Sequence, residues 1–235
     1  MLTERQIEDY RRDGYIGVEG VLSLAEVEEL RQVTDSFVES SRQVTESDDV
    51  YDLEAGHSAT DPKLRRIKSP IEAHEVYRKT LGHEKILDIV AQLIGPSIWT
   101  NGNKLNMKSG GGGSPVEWHQ DWAFYPHTND DILEVGIFLD DCGEDNGPLM
   151  AIPGSHLGPL DDHHHNGYFI GAVDPKKSHY DINTAETFLA KAGAISLHHV
   201  RSLHGSKKNN SNKSRRVFFV GYTASDSWPL KGILD

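Results

Sequence analysis

The local grammar of the chain changes at Gly95-Pro96, and that break limits the folds open to it. Before the break, apolar residues recur at helical spacing. Thr3 with Gln6, and Ser23 with Glu26, form capping-box patterns, and the second opens a stretch that places Leu24, Val27, Leu30, Val33 and Phe37 on one face. Ile86, Leu87, Val90, Leu93 and Ile94 make another apolar stripe within 71–94, stopped by Gly95-Pro96. After the break come short segments rich in β-branched and aromatic residues: IWTNGNKLNMK, VEWHQDWAFY, ILEVGIFLD, GPLMAIPG, AISLHHV and RRVFFVGYTA, separated by Gly, Asn, Asp and Pro. Such spacing predicts a mainly β sandwich or jelly roll, not a parallel α/β sheet, with a helical first third packed on it. Residues 42–66 are polar and weakly periodic and read as a long loop, a common form for a lid. SGGGGS at 109–114 falls between two predicted strands, so it reads as a connection within the domain and not as a boundary.

A chain of 235 residues fits one domain, 1–235, in which a mainly helical part (1–96) packs on a β core (97–227). The formal charge of −12 argues against nucleic acid as a partner, because neutralising phosphates needs a clustered basic surface. No apolar run approaches the roughly 18 residues that would suggest a membrane span. Cys142 stands alone and cannot form an internal disulfide, and MLTERQIEDY does not resemble a signal peptide, so the cytoplasm is the expected compartment. A monomer or weak homodimer acting on a small molecule is the expected form.

The chemistry concentrates in Trp118-His119-Gln120-Asp121. In a strand, residues i and i+2 project from the same face, so His119 and Asp121 can reach one ion. Adding a His from another strand gives two imidazoles and one carboxylate, the set that leaves positions open on iron(II) for a chelating co-substrate and O2. About one His-x-Asp is expected by chance in a chain with 13 His, and a second is present at His179-Tyr180-Asp181, in a polar segment that resembles a loop. His204, in SLHGS, is the best candidate for the third ligand. The turn-like KKNNSNKS follows it, and then Arg215 opens a strand, so His204 and Arg215 are expected to flank an antiparallel hairpin with strands about 4.8 Å apart. One 2-oxo dicarboxylate would fit there, its oxo-acid end on iron and its far carboxylate on the planar guanidinium of Arg215.

WHQD at 118–121, NGPLMAIPGSH at 146–156 and HGSKKNNSNKSRR at 204–216 resemble the phytanoyl-CoA dioxygenase family over roughly residues 60–227. The resemblance implies a double-stranded β-helix and hydroxylation of unactivated carbon with iron(II), 2-oxoglutarate and O2, releasing succinate. By motif position it implies His119, Asp121 and His204 as metal ligands, and Arg215 and Ser206 as the co-substrate carboxylate site. Gln120 falls at a family active-site position, and Lys68 near a lysine that approaches 2-oxoglutarate. Lys104 stands in the co-substrate pocket where animal members of the family tend to carry an apolar residue.

Other histidines have plainer readings. His198 and His199 in ISLHHV suit a strand, one buried and hydrogen-bonded and the other exposed, and His163-His164-His165 suits a solvated loop. Trp118, Trp122, Phe124 and Tyr125 suit a core as well as a substrate pocket. The carboxylate at Asp121 favours hydroxylation over halogenation, while desaturation, epoxidation and cyclisation stay open. The acidic balance favours a small-molecule or secondary-metabolite substrate over an acyl-CoA. The alternatives are an acyl-CoA hydroxylase of the phytanoyl-CoA type, a non-redox cupin-like metal protein, and a catalytically silent binding protein.

Overall fold

Both predicted capping boxes form in the computed structural model, which describes residues 1–230. Thr3 accepts a hydrogen bond from the Gln6 backbone N–H and starts α1 (Glu4–Asp13), and Gly14, left-handed at φ 82°, turns the chain into β1 (Tyr15–Val18). Ser23 and Glu26 start α2 (Leu24–Ser40) in the same way. The stretch 42–66 is not one continuous loop, because it contains β2 (Tyr51–Leu53) and the start of β3 (Leu64–Lys68), which pair with each other. These strands are short, their register shifts, and β3 carries Arg65 and Arg66 between its buried residues Leu64 and Ile67. No alternating apolar pattern marks them in the sequence. α3 (Pro70–Ala73), α4 (Glu75–Leu81) and α5 (Glu84–Ile94) follow, the last ending at Gly95. The part before residue 97 is mainly helical, as expected, and also supplies β1, β2 and β3 to the large sheet.

The β segments that follow are β4 (Ile98–Lys108), β5 (Val116–His119), β6 (Ile132–Phe138), β7 (Leu149–Ala151), β8 (His164–His165), β9 (Tyr168–Phe169), β10 (Glu186–Phe188), β11 (Ile195–His199), β12 (His204–Ser206) and β13 (Arg215–Ala224). A seven-stranded sheet runs β1-β11-β6-β13-β4-β3-β2, a four-stranded sheet runs β10-β7-β12-β5, and β8 and β9 form a small hairpin. Neighbouring strands in all three are antiparallel, giving the jelly-roll architecture expected of a double-stranded β-helix.

Strand alternation divides the large sheet into two chemically different faces. Phe218, Val220 and Tyr222 of β13, Leu133, Val135 and Ile137 of β6, and Ile195 and Leu197 of β11 pack in one buried cluster with Val27, Leu30, Tyr77, Ile86, Ile89 and Val90 of the helices. The intervening residues turn the other way. Arg215 and Phe219, Glu134, His198, and Lys104, Asn106 and Lys108 line a cavity between the sheets, closed at one end by a second apolar cluster that includes Phe138, Cys142, Ala194 and Val217.

Gly136 sits on this inner face, where a Cβ would lie 2.6 Å from Ser196 Oγ and 2.8 Å from a Phe219 ring carbon. Gly136→Ala is expected to destabilise the fold by about 1–3 kcal/mol through overpacking. A denaturant titration checks this: the midpoint should fall at unchanged slope, and an unmoved midpoint would contradict the close approach of the three strands.

Candidate active site

His119 is the last residue of β5, and Asp121 opens the short 3-10 turn that follows. The two share one side even though the strand ends between them. β12 lies between β5 and β7 and places His204 directly opposite His119 in the register. The imidazole rings are 4.2 Å apart between centroids, and the Nε2 atoms of His119 and His204 lie 3.6 and 3.8 Å from the two Asp121 oxygens. Donors about 2.1 Å from a shared ion lie about 3–4 Å from one another, so this arrangement fits a divalent metal with little movement.

The surroundings aim the donors. Nδ1 of His119 is 2.7 Å from the Glu117 carbonyl oxygen and Nδ1 of His204 is 2.9 Å from that of Ser202. Each contact holds a proton on Nδ1 and leaves Nε2 as the free lone pair. Burial and the neighbouring His119 and His198 keep His204 well below the usual imidazole range, hence neutral. Burial alone would push Asp121 up, but the imidazoles around it, His204 first and then His119 and His198, outweigh burial and hold the carboxyl well below its usual range. An unprotonated His204 beside an ionised Asp121 is the state that metal binding requires.

Of His198 and His199, expected as strand residues with one buried and hydrogen-bonded, His198 is the buried one and takes a more specific place. It is buried on β11, with Nε2 3.2 Å from Asp121 Oδ2, where it orients the carboxylate from behind. His199, its half-buried neighbour, accepts a hydrogen bond from the Arg201 backbone N–H instead. His163 is buried and accepts from the Gln120 backbone N–H, while His164 and His165 are exposed. The competing pair is split: His179 binds Asp161, 2.6 Å away, and Asp181 caps a turn.

The expected hairpin between His204 and Arg215 does not form. β12 and β13 belong to different sheets, and the turn between them crosses the sandwich, so the two residues face each other across the cavity instead of along one ladder. Arg215 is 3% exposed, donates to the Gly147 carbonyl, and makes no ion pair among the described residues. Its Nε is buried without a partner. A buried, unpaired guanidinium costs several kcal/mol unless an anion joins it. That orphaned fork, with Ser206 on the facing sheet, fits a dicarboxylate that reaches from the metal.

Three predicted residues lie elsewhere. Gln120, between two residues that face the cavity, points away from it. Its amide donates to the Arg201 carbonyl and accepts from the Asp161 N–H, anchoring a loop. Lys68 reaches outward to the Asp48 carbonyl at 2.6 Å and is not among the cavity-lining residues. Lys104 does line the cavity, but it pairs with Phe219 on β13 whereas Lys108 pairs with Arg215. Four residues of strand, about 13 Å, therefore separate Lys104 from the Arg215 end.

Lys108 was not singled out in the sequence, where it reads as the last polar residue of a strand. It is 3% exposed, donates to the carbonyls of Ser206 and Lys207, and is pushed down to about 7 by burial and by the charge of Arg215. Its place in the alternation Lys104, Asn106, Lys108 was the available signal. The cavity continues past Phe124, Tyr125, Ile170 and Ala172 into an open mouth.

With this geometry in place, comparison with known proteins gives its family. Residues 10–217 match the family model described as phytanoyl-CoA dioxygenase (PhyH). The probable alpha-ketoglutarate-dependent hypophosphite dioxygenase of Stutzerimonas stutzeri is 37% identical over 99% of this chain and 82% of its own. L-proline trans-4-hydroxylase of Streptomyces griseoviridis is 28% identical over 94% and 86%. The crystal structure of EctD from S. alaskensis with bound Fe shares the fold with a TM-score of 0.80, at 24% identity over 95% of this chain and 77% of that one.

Lys108 gives the cavity a pH dependence. A dianion beside Arg215 favours protonated Lys108, so 2-oxoglutarate should bind tightly below about pH 7 and more weakly as the pH rises through that value and the proton is lost. Anaerobic titration of 2-oxoglutarate between pH 6 and 9 should show this slope in the wild type and a flatter one in Lys108→Met. Equal slopes would remove Lys108 from the co-substrate site.

Proposed function

The chain belongs to the phytanoyl-CoA dioxygenase family and is an iron(II)- and 2-oxoglutarate-dependent oxygenase, and on that premise we propose that His119, Asp121 and His204 hold its iron and Arg215 its co-substrate. The observation that carries this assignment is the pairing of two features in one cavity: a buried carboxylate between two Nε2 donors, and a buried guanidinium with an unpartnered Nε. A non-redox metal protein would have no use for the second, and a silent binding protein no use for the first.

Bound iron(II) supplies the activation of O2, coupled to decarboxylation of 2-oxoglutarate to succinate and CO2. The balance is one oxygen atom into the substrate X–H bond, giving X–OH, and the other into succinate. The chain's own residues do the positioning. His119 and His204 present Nε2 because their Nδ1 protons are held by backbone carbonyls, and His198 fixes the tilt of Asp121. Arg215, with Ser206 and Lys108, receives the far carboxylate and so sets the distance at which the oxo-acid end meets the metal. Val116, Leu149 and Phe219 keep the wall between these ends apolar, which limits competing water. Residues 1–235 work as one catalytic unit, because the helices cover the sheet whose other face carries the site.

The substrate is a small molecule, hydroxylated next to the metal. The cavity beside the ligand set must also hold the co-substrate, which leaves space for a small substrate at its open mouth. The hypophosphite dioxygenase and the proline hydroxylase among the relatives act on small compounds by name.

Purified protein should bind one iron(II) per chain, and anaerobic 2-oxoglutarate should then give a weak visible charge-transfer band. His119→Ala and His204→Ala should each abolish it, and a wild-type band in either variant would refute the ligand assignment. Arg215→Lys should raise the apparent 2-oxoglutarate constant by about ten- to a hundredfold, because an ammonium cannot rebuild paired hydrogen bonds to a carboxylate. Arg216 points to the other side, where it binds Asp140 and Asp35, so Arg216→Lys should lower stability and leave the constant unchanged. An equal rise in both variants would mean that the strand faces the other way.

A further inference from the structure

The cavity carries more positive charge than iron and co-substrate can use. Arg66 on β3 and Lys104 on β4 line both the cavity and its open mouth, beside His119 and Asp121. Arg66 is half-buried. Its Nε donates to Asn106 Oδ1 at 3.1 Å, and it forms no ion pair among the described residues, not even with Asp52, its register partner on β2. Lys104 has its ammonium 5.8 Å over the Phe219 ring and likewise lacks an ion pair there. Arg65, exposed at the mouth, adds to the same field. On a chain of net charge −12, this concentration of unpaired cations is a local reversal of sign.

Charge accounting shows what is left over. The iron dication, the Asp121 carboxylate and the co-substrate dianion together retain one negative charge, which Arg215 alone cancels, and protonated Lys108 at the same end adds a further positive charge. Glu134, the other buried acid in the cavity, accepts a hydrogen bond from Tyr125 at 3.1 Å, and burial pushes it up toward its neutral form. Glu117, at the mouth, is exposed to solvent and screened by it. Arg66 and Lys104 thus line the cavity beside His119 and Asp121 without an ion pair among the described residues; Lys104 lies four strand residues from Lys108 at the Arg215 end, and Arg66, opposite Asn106, lies two.

We propose, resting on the oxygenase reading above, that the substrate is a small oxyanion, a carboxylate or phosphorus oxyacid, bound by Arg66 and Lys104 with its C–H or P–H bond toward the metal. Arg66 offers the planar fork that matches an oxyanion edge, and Lys104 offers a second point charge from the adjacent strand. Asn106, the register partner of Arg66 on β4, fixes the guanidinium through its hydrogen bond. Neutral molecules of the same shape would leave both cations unpaired and bind poorly.

The test uses the full chain loaded with iron(II) and 2-oxoglutarate. Hypophosphite and methylphosphonate represent the phosphorus oxyanions, butyrate and L-proline the carboxylates, and butyramide and L-prolinamide the uncharged counterparts. Anaerobic calorimetry reads binding, and succinate release in air reads stimulation. At least one anion should bind and speed succinate release tenfold or more while the amides do neither, and the phosphorus and carboxylate arms then distinguish the source. Arg66→Gln and Lys104→Met should each raise that anion's constant by about ten- to a hundredfold, well beyond any change in the 2-oxoglutarate constant, with Arg66→Lys recovering part of the loss. Amides that bind as well as anions, or variants that leave the anion's constant unmoved, would overturn the proposal. So would slow succinate release that no anion affects and no anion binding, an outcome that leaves the oxygenase reading intact. Absence of both the charge-transfer band and any succinate would refute that reading, and this proposal with it.

Discussion

Asp121 is an ionised carboxylate, 3% exposed, held among three imidazoles, and the rest of the site is arranged around keeping it there. A lone buried carboxylate would be too costly to hold in its charged form. It persists because β5 brings His119, β12 brings His204 and β11 brings His198 to within hydrogen-bond or ligand distance from three directions. The register of β11 is fixed by Ile195 and Leu197 on its other face, and β12 is held between β5 and β7. The helices matter to the site through that link: Leu30, Tyr77 and Ile86 pack against Phe218 and Val220, and this fixes which face of β13 turns Arg215 and Phe219 inward.

The same alternation explains how the cavity comes to be so polar inside a well-packed sandwich. Inward positions on the large sheet read Arg66, Lys104, Asn106, Lys108, Glu134, His198 and Arg215, where the outward ones read Ile67, Leu105, Met107, Leu133, Val135, Leu197 and Phe218. Unpaired buried charges of this kind lower stability, and chains carry them where a ligand completes them. Cations from β3, β4 and β13 thus share one cavity with His119, Asp121 and His204.

Much of this was legible in the residues. The capping boxes at Thr3 and Ser23, the break at Gly95-Pro96 and the β segments beyond it are local signals, and local signals survive folding. The pair His119 and Asp121 was visible as a spacing, and His204 and Arg215 as motif positions. What could not be seen was long-range pairing. Strands β2 and β3 hid in a polar stretch because one of their inward residues is an arginine, and nothing local says that β12 and β13 join different sheets. Gln120 looked like a site residue because of its neighbours, yet strand alternation turns it to the loop at 159–161. Lys108 and His198 were overlooked for the opposite reason: each is one polar residue among several in a strand, and only burial beside Arg215 or Asp121 gives it a role.

The central claim is that one cavity holds the metal at His119, Asp121 and His204 and the far carboxylate of 2-oxoglutarate at Arg215. Anomalous diffraction from an anaerobic crystal grown with iron(II) and 2-oxoglutarate tests it most directly. The account predicts a single iron peak bounded by His119 Nε2, His204 Nε2 and a carboxylate oxygen of Asp121, with continuous co-substrate density running from it to the Arg215 guanidinium. Iron at the His163–His165 segment or beside His179 and Asp161, or 2-oxoglutarate with its far carboxylate on Arg66 and Lys104, would contradict it.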